Sequence, residues 1–141
     1  MKLAVSMIFV LAFVTFNVFS QKVKPDAIVG DWSGESKCVG SNTFCHDEVV
    51  VYHITRSKDD AKKFTIAADK IVNGKPDFMG NIECVYDAEK QTLRSEFKIP
   101  RTGGTGIWLF TLKGDEMDGT LTIMPENEVG RRVKVKKNPK P

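Results

Sequence analysis

Eight short runs in which apolar and polar residues alternate, each ended by turn residues, constrain this chain more than any other feature. Leu93, Ser95, Phe97 and Ile99 fall on one side of an extended strand, and Thr92, Arg94, Glu96 and Lys98 on the other. Phe64, Ile66 and Ala68 alternate with Lys63, Thr65 and Ala67, and Val133 and Val135 with Arg132, Lys134 and Lys136. Successive side chains of a strand point to opposite faces, so such runs describe antiparallel sheet with one dry face and one wet one. The runs lie at Ile28–Glu35, Glu48–Thr55, Phe64–Ile71, Met79–Tyr86, Thr92–Ile99, Gly106–Leu112, Met117–Met124 and Arg131–Lys136. Their spacing of about 8–14 residues, with no long helical period between them, predicts an all-β fold. A single antiparallel up-and-down barrel of about eight strands is the architecture expected.

The connections agree. Lys113-Gly114-Asp115 joins two β runs, and Asp87-Ala88-Glu89-Lys90 suits a turn whose carboxylate accepts bonds from the amides after it. Asn73-Gly74-Lys75-Pro76-Asp77 and Thr102-Gly103-Gly104 are turns as well, and only Ser57–Ala61 is suited to a helical turn. Two stretches do not alternate cleanly. Ile107-Trp108-Leu109-Phe110 is apolar on both faces, which predicts a cover on its outside, and Glu48 to Ile54 is similarly ambiguous.

Lys2 followed by the apolar run Leu3 to Phe19 and Val18-Phe19-Ser20 reads as a signal peptide, residues 1–20, cut before Gln21. The run is short for a membrane span, which takes about 20 residues. No cysteine stands at the cut to carry a lipid anchor, and no later segment reads as a span. Residues 21–137 are then one barrel domain and 138–141 a basic tail, in a secreted or periplasmic protein.

That compartment is oxidising, so a cysteine pair is expected to close. Cys38 and Cys45 flank a loop rich in Gly, Ser and Asn, while Cys84 sits in mid-strand and reads as a buried free thiol. A bridge from Cys84 to either of the others is the alternative. The formal net charge of +3 is too small to imply a nucleic-acid partner. The late cluster Arg131, Arg132, Lys134, Lys136, Lys137 and Lys140 reads first as a solvated edge strand and tail, and second as a contact for an anionic surface.

Chemistry is sparse. Cys45-His46-Asp47-Glu48, with His53 further on, is the densest polar cluster, yet neighbouring strand residues point apart and Cys45 is expected to be oxidised. A metal site from His46, Asp47 and His53 would need residues more than 20 Å apart along an extended strand to fold back (about 3.3 Å per residue). Phosphate loops, a Ser-His-Asp order and nucleotide fingerprints are missing. The reading is no enzyme, no metal and no cofactor.

The first mature strand carries Gly30-Asp31-Trp32, and the last carries Arg131, which by alternation points inward with Val133 and Val135. This pair resembles the signature of the lipocalins and their calycin relatives. The resemblance implies that an Arg from the end of the barrel covers the first-strand Trp and closes its base, a cation–π contact of about 0.5–2 kcal/mol. The chain is shorter than a full lipocalin and lacks the long C-terminal helix region. Cys45–Glu48, Gly106–Trp108 and Arg131–Val133 also resemble segments of small secreted bacterial proteins, a likeness that carries no activity with it.

A barrel of about eight strands is either filled by its side chains or holds one small ligand. The first expectation is a small, mostly apolar ligand in a cup lined by Phe64, Tyr86, Phe97 and Trp108 or Leu109, with Trp32 and Arg131 added by the resemblance. The second is a packed barrel acting through its surface, as an inhibitor or adhesion module meeting a protein partner through loop 38–45 with Phe44 at its end.

Overall fold

The computed structural model describes residues 21–141; the expected signal peptide, 1–20, lies outside them. Eight antiparallel strands close into an up-and-down barrel: β1 (Gly30–Cys38), β2 (Glu48–Arg56), β3 (Lys63–Val72), β4 (Lys75–Asp87), β5 (Thr92–Lys98), β6 (Thr105–Lys113), β7 (Glu116–Met124) and β8 (Glu128–Lys137). A four-residue helix, α1 (Pro25–Ile28), precedes β1. The expected strands are all present. Ile28 belongs to α1 instead of β1, and Ser57–Ala61 is turn rather than helix.

Each strand buries one face, as the alternation requires. Trp32 of β1, Val50, Tyr52 and Ile54 of β2, Phe64 and Ile66 of β3, Leu93 of β5, Phe110 of β6, Met117 of β7 and Val133 of β8 form the core. Fully burying each large apolar side chain is worth about 1.5–3 kcal/mol. The outer face of β6 is not covered, contrary to expectation: Leu109 is 39% exposed and Ile107 half-buried. Their register partners across the sheet are Arg94, Glu96, Thr120 and Thr122, so polar neighbours flank them instead of a further layer.

The hairpin between β3 and β4 is tighter than the sequence suggests. Asn73 and Gly74 both have positive φ (51° and 76°), the requirement of a two-residue turn that follows the sheet's twist. Lys75, Pro76 and Asp77 therefore belong to β4, paired with Val72, Ile71 and Lys70. Pro76 is tolerated because this length of β4 has no partner on its other edge, so its missing N–H costs the sheet little.

The two ends of the barrel differ. At the end where β1 begins, the segment 23–28 crosses the opening. Trp32 Nε1 donates to the Ile28 carbonyl at 2.9 Å, Tyr86 Oη donates to the Val23 carbonyl at 2.9 Å, and Gln91 Nε2 donates to Tyr86 Oη at 2.7 Å. At the other end, β1 runs into the Cys38–Cys45 disulfide loop. Val39 N donates to the Gly130 carbonyl at 3.0 Å and Ser41 donates through its amide and hydroxyl to Glu128, tying the loop to the start of β8. The Ser41 amide, and after it the Ser41 hydroxyl, hold the Glu128 carboxyl below its ordinary range. Cys84 is the free cysteine, buried as expected.

Candidate functional site

Barrel closure places seven or more residue pairs in each seam except that between β4 and β5, where only Val85–Arg94, Tyr86–Leu93 and Asp87–Thr92 pair. Beyond them the two strands part. The β3–β4 ladder also shifts register between Ala68 and Asp69, which leaves Met79 of β4, beside Gly80, without a register partner. Both irregularities open the interior at the disulfide-loop end.

The space they leave is a cavity of about 240 Å³ lined by Ser36, Glu48, Tyr52, Ala68, Met79, Gly80, Asn81, Ile82, Trp108 and Arg131. Its walls are apolar and its polar groups gather on one side. Arg131 points inward, as its alternation with Val133 and Val135 predicts. Its Nη1 donates to Ser36 Oγ at 3.1 Å and lies 3.3 Å from Glu48 Oε2, with about a fifth of each charged side chain exposed. Tyr52 adjoins the pair, and burial raises its phenol well above the usual value, so it remains a neutral hydrogen-bond donor and acceptor. Trp108 stacks on Phe110 with centroids 5.3 Å apart and its other face half-open to the cavity.

The expected cup residues divide between the two ends. Trp108 and Arg131 line this cavity, whereas Trp32, Phe64 and Tyr86 sit in the sealed base, Phe64 and Tyr86 edge to face at 5.9 Å. Phe97 lines the neighbouring gap between β4 and β5. Leu109 points to the outside, the necessary consequence of Trp108 pointing in. The cation over Trp32 is not Arg131. The register pairs Trp32 with Lys137 and Cys38 with Arg131, so the guanidinium stands six residues along β1 from the indole. Lys137 Nζ takes the expected place, 5.8 Å from the Trp32 ring centroid, and also bonds the Ala27 carbonyl.

Sequence reasoning did not single out Ser36, Glu48, Tyr52 or Ile82 for the site. The signal was present in β2: Glu48, Val50, Tyr52 and Ile54 are the inward set, masked by the equally apolar Val49 and Val51 on the outside.

The cluster considered for metal or catalysis disperses. His46 lies in the loop, while His53 faces outward between Asp31 (Nδ1 to Oδ1, 2.7 Å) and Asp69 (Nε2 to Oδ2, 3.1 Å). Among the described residues, no group of three His, Cys, Asp or Glu is placed to hold a metal ion. No described helix is long and apolar enough to cross a membrane. The basic residues of β8 face acids in register, Lys134 between Glu35 and Asp118 and Lys136 beside Glu116 and Asp115, which is a mixed solvated face.

The chain matches no protein-family model, no curated protein and no solved structure. The barrel is compatible with the lipocalin-like fold in its eight-stranded, up-and-down topology.

Proposed function

We propose that this is a secreted or periplasmic binding protein that holds a small, mostly apolar ligand in the cavity beside Arg131. One observation carries the reading: the barrel is filled and sealed at the α1 end but left open at the other, around half-buried Trp108 and Ile82. Protein interiors pack to few voids larger than water, so an apolar cavity with convergent polar groups is a ligand site by default. The disulfide and the apolar leader fit an oxidising compartment.

Native mass spectrometry of the protein secreted from its own host tests this. The expected result is a reproducible extra mass that disappears on solvent extraction. A clean mass, 2 Da below the fully reduced chain and with nothing bound after gentle purification, would count against it. That result would favour a second reading, surface action through the disulfide loop, which rests on Phe44 standing 88% exposed at the loop's end. A loop already held by a disulfide and by Gly130 loses little freedom on docking.

A further inference from the structure

The cavity beside Arg131 holds about 240 Å³, less than the roughly 300 Å³ at which ligand pockets usually begin. Where β4 and β5 part, a slit of about 350 Å³ adjoins it, with Asn81, Ile82 and Trp108 bordering both spaces and Ser95 and Phe97 on the slit's far side. A ligand that occupied both would lie sideways through the wall, past Ile82 and Trp108. Such a shape suits a narrow, extended molecule and not a compact one. The far end of the Phe97 ring, which lines the slit, reaches over Gly106, where no Cβ stands between ring and backbone, and 40% of the residue is exposed. It forms an apolar sill beside the opening.

Charge then restricts the head group. At the inner end Arg131 is already matched by Glu48, so the site adds no net charge, and a carboxylate arriving there would compete with Glu48 for the same guanidinium. The slit is flanked by Glu83 and Glu96, both acidic, Glu96 paired with Arg94 at 2.7 Å and Glu83 accepting from Thr65 Oγ1 at 2.9 Å. Along the slit an anion would pass two carboxylates, and at the inner end it would meet an occupied cation. A hydroxyl or amide can instead accept from the guanidinium N–H groups not used on Ser36 and donate to Tyr52 or Glu48, at no cost in buried charge.

Resting on the ligand-binding reading above, we infer that the ligand is a straight-chain amphipath with an uncharged hydrogen-bonding head, an alcohol or amide, its head at Arg131 and its chain leaving between β4 and β5 past Trp108 and Phe97. Isothermal titration of the full secreted chain with 1-hexanol, 1-octanol and 1-decanol, and with decanoate and decylamine, tests it. Affinity should rise about fourfold for each methylene up to decanol, the increment of burying one CH₂. Decanol should bind at least tenfold more tightly than either charged analogue. Ser95→Phe, which fills the slit, should leave hexanol unchanged and bring the rise to a stop. Phe97→Ala, at an exposed position that folding tolerates, should weaken decanol several-fold and spare hexanol.

A flat chain-length series, or one that Ser95→Phe and Phe97→Ala both leave intact, overturns the lateral route. Tighter binding of decanoate or decylamine overturns the uncharged head. Failure of all five compounds overturns this inference, while the ligand-binding reading is judged separately: a carried mass of aromatic or charged chemistry would leave that reading standing and remove this one.

Discussion

Lys137 stands opposite Trp32 across the β1–β8 seam, its ammonium 5.8 Å from the indole centroid and bonded to the carbonyl of Ala27. One side chain thus joins the last strand, the first strand and the helix that covers the base. Partial desolvation lowers the Lys137 pKa, with Lys140 adding to the effect, and the ammonium is held in place by the ring face and the carbonyl. Lys137→Ala should cost about 0.5–1 kcal/mol, the size of a partly exposed cation–π contact, and Lys137→Arg less. Urea unfolding monitored by the fluorescence of the buried indole reads the difference.

Arg131 and Glu48 make a different kind of pair, four-fifths buried and isolated from other counter-charges. Removing one partner leaves the other charge without compensation, so Arg131→Met and Glu48→Gln should each destabilise by about 1–3 kcal/mol, less than for a fully buried pair. The double substitution should cost less than the sum of the two. A double-mutant cycle by chemical denaturation returns that coupling, and additivity would show the pair to be inert.

His53 has a carboxylate acceptor at each ring nitrogen, Asp31 at Nδ1 and Asp69 at Nε2, which favours the imidazolium that donates to both. The bond to Asp31 raises its pKa most, desolvation opposes, and Asp69 adds to the rise. The stabilisation is therefore fully present below the unfolded value near 6.5 and is lost as pH rises through the higher folded value. The ring is 42% exposed, so the amplitude should stay below about 1 kcal/mol. Unfolding free energies at pH 5.5 and pH 8.5 should differ in that direction in the native chain, and the His53→Gln variant should lack this component.

Three glycine-to-alanine substitutions should rank by what the new methyl meets. At Gly34 it would fall 2.0 Å from the Lys134 carbonyl oxygen, so the β1–β8 seam itself must move; at Gly119 it would meet the ring of fully buried Phe110 at 2.5 Å. At Gly106 it would meet the far end of the half-exposed Phe97 ring, which can swing away. Gly34→Ala should be the most damaging, Gly119→Ala should cost about 1–3 kcal/mol, and Gly106→Ala the least. Thermal melts of the three variants give the order directly.

Cys84 is 2% exposed, and burial pushes its thiol up to about 12, with Glu83 contributing. It should be unreactive towards an aromatic disulfide reagent at pH 8 in the folded chain and should titrate as one thiol in concentrated guanidinium, because the thiolate is the nucleophile. Rapid labelling of the native protein would mean that the seam near β4 opens readily.

Most of the fold was legible in the chain before the structure. Period-two alternation in β3, β5, β7 and β8 assigned faces correctly because the same physical requirement, one dry side per strand, acts along each strand locally. Asp87 accepting the amides of Glu89 and Lys90, at 3.0 and 3.1 Å, is likewise a local event written in four consecutive residues. Inward Arg131 followed from alternation as well, whereas the choice of Cys38–Cys45 over a bridge to Cys84 was made by the structure.

Register is what the sequence left open. Which residue of β8 lies opposite Trp32 depends on the stagger of all eight strands at closure, and a shift of six residues put Lys137 over the indole and Arg131 at the far mouth. The same closure parts β4 from β5 after three pairs and decides which inward side chains meet in a sealed base and which border an open cavity. Alternation determines the face a side chain occupies, because that is set by the backbone of its own strand. Its height along the barrel, and therefore its partners, is set by hydrogen-bond ladders between strands distant in sequence, which only the tertiary structure decides.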